Sequence, residues 1–286
     1  MFSTAPLTLL SALIVLLCAP ASASLHDDLF NQYLPGELTE IMVGENTAPV
    51  YESPAATPLT RGVAIILADV SPLGLTFGQG KQLSDALSEK GWHVVLSLMP
   101  VLGYDAATVT ENIDAEAGNT DIQPHPRQDY RTPSLDYTAY RQQLTLLLGA
   151  IEQHTQSHQG FRMVIAQGLS AAAYLDSASA GTTATPNTFV AITPFWPQSD
   201  INDRIAGQVA NATFPILDIS FSEFNKWEQA TAADRKMRAE TSLKLHYRQV
   251  NISSNIFNFS LENYNNSSFI QSVTGSVVGW TRYLGW

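Results

Sequence analysis

The chain predicts an α/β fold: a mostly parallel sheet covered by helices on both faces. Three observations carry that expectation. Nearly continuous apolar runs such as "GVAIILAD" (62–69) and "WHVVLSLM" (92–99) read as strands buried on both sides. Stretches with a helical period separate these runs, and strands that alternate with helices pair in parallel. In "VIAQGLSAAAYL" (164–175), finally, a strand passes through small residues directly into a helix.

Taken in order, "ELTEIMV" and "APVYES" flank "GEN" as a candidate hairpin. The helix "FGQGKQLSDALSEKG" (77–91) places Leu83 and Leu87 four apart and stops at Gly91. Residues 101–135 break the rhythm. They are polar, proline-containing and aperiodic, and a loop of that length in a compact domain is functional or mobile. "LDYTAYRQQLTLLLGAIEQHT" then aligns Tyr140, Leu144, Leu147 and Ile151 on one helical face.

The second half continues the alternation. Strands are expected at 161–166, 188–193, 214–220 and 245–252, and helices at 169–178, 200–209 and 226–243. A closing helix carries Ile270, Val273, Val277, Trp280 and Leu284 on one side. No repeat and no linker divides this region.

The chain has 286 residues, 45% of them hydrophobic and 14% charged, enough to build a substantial core. Its formal net charge of −11 repels phosphate backbones and anionic lipid, which argues against nucleic-acid binding. Residues 1–23 lack charged side chains and end in Ala21-Ser22-Ala23, which reads as a cleavable secretory signal peptide. The expected organisation is therefore a signal peptide (1–23), an N-terminal segment with the hairpin (24–60) and one α/β domain (61–286). A periplasmic or secreted location follows, with no membrane insertion after cleavage. Cys18, the sole cysteine, falls in the leader behind the bulky Leu17, which argues against lipidation. The mature chain then has no disulfide, thiolate metal site or thiol nucleophile.

The 164–175 stretch resembles the bend on which α/β hydrolases mount a nucleophile, with small residues two positions to either side. Two registers fit. Ser170 at the tip has Gly168 and Ala172 as small neighbours; Gly168 at the tip has Ala166 and Ser170. A tip residue with a side chain is strained by about 1–3 kcal/mol, whereas glycine adopts that conformation freely. The Ser170 register also places a glycine inside the strand, where it weakens pairing. Energetics favour Gly168 at the tip, with Ser170 packing at the start of the helix.

A serine hydrolase also needs an acid and a later histidine. The acid slot contains Glu223 with Glu228 nearby, and surface glutamates are common enough that both read first as solvated. Asp218 reads as a structural carboxylate within its strand. The segment after the last strand, "SSNIFNFSLENYNNSS", has no histidine, and the amides of Asn255 and Asn258 cannot replace an imidazole base. His246 precedes that strand, at the wrong end. At the oxyanion position stands "ADVSPLG", where Asp69 has the wrong sign unless it is paired or turned away.

The ordered run of "GVAIILAD", "GWHVVLSLMP", "MVIAQGLSAAAYL", "PILDIS", "HYRQVNI" and "VVGW" resembles an uncharacterised family of exported bacterial α/β-hydrolase-like proteins, a domain of unknown function. The resemblance spans most of residues 38–286. It implies an α/β-hydrolase-like fold, in a family where some members carry glycine at the nucleophile position, as Gly168 does here. Many of its members have the late histidine that this chain lacks.

Other polar groups have plain readings. His154 and His158, spaced i, i+4, suit a metal in principle, but without a third ligand they read as a solvated helix end. His125, Arg127 and Asp129 lie in the long loop. His93 reads as a satisfied core histidine. Tyr104, Phe195 and Trp196 follow strand ends, where they line a pocket or cover the sheet edge. "GLTFGQG" is not a phosphate loop, and neither cofactor nor metal is expected. Two functional readings result. The first is a member without an intact triad, binding an unknown small molecule or envelope protein as an accessory. The second is a serine esterase using Ser170, with Glu223 as acid and a base such as His125.

Overall fold

The computed structural model describes residues 38–69, 74–99, 135–221, 225–252 and 267–286. They form an eight-stranded sheet in the order β1-β2-β4-β3-β5-β6-β7-β8. Strands β1 (Leu38–Val43) and β2 (Asn46–Ser53) make an antiparallel hairpin that turns at Gly44, and β2 runs antiparallel to β4. From β4 onward every pairing is parallel: β4 (Trp92–Leu98), β3 (Gly62–Ala68), β5 (Phe161–Gln167), β6 (Thr188–Ile192), β7 (Ile216–Phe221) and β8 (Tyr247–Ile252). β3, β4 and β6 are buried at every position, which is why their sequences are nearly continuous apolar runs rather than alternations.

Six helices cover the two faces among the described residues. α1 (Phe77–Ser88) follows β3 and packs with the closing helix α6 (Ser267–Tyr283) on one side. α2 (Tyr137–His154), α3 (Leu169–Ser179), α4 (Ser199–Asn211) and α5 (Lys226–Thr241) succeed one another on the other side. Tyr140, Leu144, Leu147 and Ile151 of α2 are all buried in the core that also contains Val63, Ile65 and Leu67 of β3. α1 starts one residue after Thr76, which forms a reciprocal capping box with Gln79. It ends at Ser88 rather than running to Gly91, which instead takes φ 89° in the turn before β4.

One polar cluster interrupts the apolar packing. Arg235 of α5 is fully buried and donates to both carboxylate oxygens of Asp218, at 2.9 and 3.2 Å, and to Glu228 Oε1 at 2.9 Å. Asp218, on β7, also accepts from Tyr247 and Gln249 of β8 at 2.8 and 3.0 Å. Ser220 donates to Glu228 at 2.7 Å. Asp218 is thus the paired structural carboxylate that its strand position implied. Glu228 corrects the expectation of a surface glutamate. It is completely buried, because the inward face of α5 is Glu228, Thr231, Arg235 and Ala239 rather than an apolar stripe.

Removing one partner of such a cluster leaves an uncompensated buried charge. Arg235→Leu is expected to destabilise the fold by about 3–5 kcal/mol, read from the midpoint of a urea unfolding curve.

Candidate functional site

In open α/β sheets ligands bind outside the carboxyl ends of the parallel strands. At that edge β5 passes into α3 through a single residue, Gly168, at φ 62° and ψ −122°. A side chain there would be strained by about 1–3 kcal/mol. The bend is held from the β6 side. Gly168 N donates to Ile192 O at 2.9 Å, and its carbonyl accepts from Phe195 N at 3.4 Å and from Ala172 N at 3.1 Å. Next to it Thr193 has φ 44°, unusual for a β-branched residue, while its N–H donates to Ile219 O at 2.7 Å. Thr193 Oγ1 and Gln167 Oε1, from the residues flanking this junction, are buried without a hydrogen-bond partner.

Ser170 lies in the first turn of α3 and is fully buried. Its hydroxyl is 2.7 Å from Tyr140 Oη and 3.4 Å from Asp69 Oδ2, and Tyr140 donates to the same Asp69 oxygen at 3.1 Å. Two hydroxyl protons serve three contacts. An ionised carboxylate only accepts, so in either proton arrangement at least one hydroxyl donates to Asp69. Burial, then the charge of Asp69, pushes the Tyr140 phenol well above its ordinary value, so it stays a donor. Asp69 is therefore paired at the end of β3, which resolves the sign problem raised by its position. The chain returns tightly over it: a Cβ on Gly74 would lie 2.4 Å from Asp69 Cβ, and Asp69 N donates to Leu75 O at 2.8 Å.

Phe195 and Trp196 are buried. Trp196 meets Tyr137 and Tyr140 edge-on, at 4.7 and 5.4 Å between ring centroids, and its backbone N–H donates to Asn202 Oδ1 at 2.9 Å. It braces the helix that delivers Tyr140.

Among the described residues no histidine contacts Ser170, and no Ser-His-Asp contact of the hydrolytic kind is seen. Glu223, His125, Arg127, Asp129, Tyr104, Asn255 and Asn258 lie outside the described residues, as do the leader with Cys18 and nearly all of the 101–135 loop. His246 sits before β8, its carbonyl accepting from Ile216 N, at the opposite edge of the sheet.

The pair His154 and His158 needs correction. α2 ends at His154, so the two do not share a helical face. His154 Nε2 is 2.8 Å from Glu52 Oε1, and His158 stacks on His93 with ring centroids 4.0 Å apart. No group of three or more His, Cys, Asp or Glu side chains among the described residues is placed to hold a metal ion, and no described helix is long and apolar enough to cross a membrane.

Three functional partners escaped the sequence reading: Tyr140 as a polar group, Arg235, and the strained Thr193. Tyr140 and Asp69 are 71 positions apart, and nothing local marks their meeting. Glu228, Thr231 and Arg235 did carry a signal, the i, i+3, i+7 spacing of one inward face.

Several solved structures share this fold. A dienelactone hydrolase from Anabaena variabilis is 14% identical, with 85% of this chain and 96% of that one covered and a TM-score of 0.53. An α/β serine hydrolase without a lid from Xanthomonas campestris is also 14% identical, covering 86% and 96% at a TM-score of 0.52. A thermophilic esterase from Thermogutta terrifontis is 9% identical, covering 85% and 91% at a TM-score of 0.53. At such identities the likeness establishes the α/β-hydrolase fold alone. No curated protein matches the sequence. The family described as "Protein of unknown function (DUF3530)" matches residues 14–269, and the chain belongs to that family.

Proposed function

We propose that this protein is an α/β-hydrolase-fold member that binds a ligand or envelope partner without serine-hydrolase chemistry. The observation that carries the reading is the residue at the bend. Gly168, at φ 62° between β5 and α3, is read as standing where the fold carries its nucleophile, and it offers no attacking group. The hydroxyl of Ser170, two residues on, is turned inward onto Tyr140 and Asp69 and fully buried. The absence of a histidine from residues 253–268 supports the same reading, since Ser170 then lacks a base from the usual position. The unspent acceptor on Gln167 and the free hydroxyl on Thr193, to either side of Gly168, support a binding role for this edge. Export, expected from residues 1–23, places the partner in the envelope or outside the cell.

The test is a fluorophosphonate probe applied to the purified mature chain, read by intact-mass spectrometry. No adduct is expected, and native mass spectrometry of the exported form is expected to show a copurifying non-covalent ligand or partner. An adduct that disappears in Ser170→Ala overturns the proposal in favour of an esterase using Ser170.

A packing role for Ser170 has its own consequence. Ser170→Ala leaves the Tyr140–Asp69 hydrogen bond in place and is expected to cost about 1 kcal/mol. Tyr140→Phe removes hydrogen bonds to both partners, one of them to a buried carboxylate, and is expected to cost about 2–3 kcal/mol. Chemical denaturation of the two variants checks that ranking.

A further inference from the structure

We propose that His93, His154 and His158, gathered around Glu52, form an acid-sensitive latch that holds β2 and the carboxyl end of α2 against β4. This inference is independent of the reading at Gly168, because the latch sits at the opposite edge of the sheet, where β4 begins.

The geometry is specific. Glu52, on β2, accepts from His154 at 2.8 Å through Oε1, and its Oε2 lies 3.3 Å from His93 Nε2. That second approach falls outside hydrogen-bonding alignment, so His93 Nε2 is buried without a hydrogen-bond partner. The His93 ring, only 7% exposed, is covered by His158 in a near-parallel stack, at 4.0 Å and 16°. Each contact crosses between elements: β2 to β4, β2 to α2, and β4 to the segment that follows α2.

The charges around the cluster limit what it can absorb. Among the described residues Glu52 is the one carboxylate paired with these rings. Beyond His154, the end of α2 already holds Arg162 of β5, which donates to Thr155 O at 2.9 Å and to Glu152 at 3.4 Å. Imidazoles gain protons just below neutrality. A proton on the His93 ring would put a charge in a buried site, stacked against His158 and beside a Glu52 carboxylate already engaged by His154.

The direction of the effect follows from His93. Burial, reinforced by the charge of His158 and opposed by Glu52, holds its pKa below the ordinary value. The closed latch then binds fewer protons than the open one in the window below about 6.5. Closure is fully favoured above that value and is lost as pH falls through the folded-state pKa.

Native-state hydrogen exchange on the full chain, corrected for intrinsic rates, tests this between pH 7.5 and 5.0. Amides of Trp92, His93 and Val94 are expected to open more readily on acidification below about 6.5, by no more than about tenfold per pH unit for one titrating ring, while Ile165 in the sheet interior shows no such excess. His158→Gln is expected to flatten the dependence and His93→Gln to abolish it. Should His93→Gln fail to fold, the His93 ring resonances of the wild-type chain are expected to titrate below about 6.5. The proposal is overturned by a flat wild-type profile, by an unchanged slope in His158→Gln, or by a His93 midpoint at or above the ordinary value.

Discussion

Burying a carboxylate at the end of the sheet's central strand is the constraint around which this molecule is arranged. Asp69 cannot remain ionised in that position unless hydroxyl or amide groups surround it. Tyr140 supplies one hydroxyl from α2 and Ser170 another from α3. Two helices that follow different strands are thereby fixed to one atom, Oδ2, at the end of β3. Trp196 closes the arrangement by bracing both tyrosines of the first turn of α2. The Asp69 carboxylate and the Ser170 hydroxyl are thus spent on holding the scaffold together.

The bend depends on backbone rather than side chains. Gly168 takes a conformation nearly free of cost to glycine, while its neighbour Thr193 takes one that is costly. The strain at Thr193 persists because its N–H is paired to β7, and Phe195, two residues on, hydrogen-bonds the Gly168 carbonyl. Adjacent strands therefore over-determine the geometry at this edge. The strand-to-helix bend is thus fixed by backbone pairing between neighbouring strands rather than by any side chain at its tip.

Much of the fold was legible in the sequence, because strand burial and helical period are local signals. The runs at 62–69 and 92–99, the face formed by Tyr140, Leu144, Leu147 and Ile151, and the strand-to-helix turn at 164–175 each appear where their patterns place them. The strain argument that favours glycine over serine in a left-handed bend is likewise local. What the sequence hid is long-range polar pairing. Glu52 and His154 meet across 102 positions, and Asp69 and Ser170 across 101. Apolar residues disclose their burial by type, but a charged or hydroxyl side chain reads as solvated until its partner is located. Glu228 was misread for that reason.

The two polar networks on the α2–α5 side of the sheet obey the same logic. In one, Arg235 pairs with Asp218 and with Oε1 of Glu228; in the other, Tyr140 and Ser170 pair with Asp69. A catalytic site preorganises donors and acceptors toward a reacting atom and tolerates leaving them unpaired until substrate arrives. Here most polar atoms near the strand ends are directed at one another, so they add rigidity at the expense of reactivity. The exceptions include Gln167 Oε1 at the end of β5, Thr193 Oγ1 just beyond β6 and Glu228 Oε2 in the first turn of α5, all buried without hydrogen-bond partners. Unsatisfied groups of this kind cost stability in the free protein. A ligand that donated hydrogen bonds to them would recover that cost on binding, whereas one that merely filled apolar space would not.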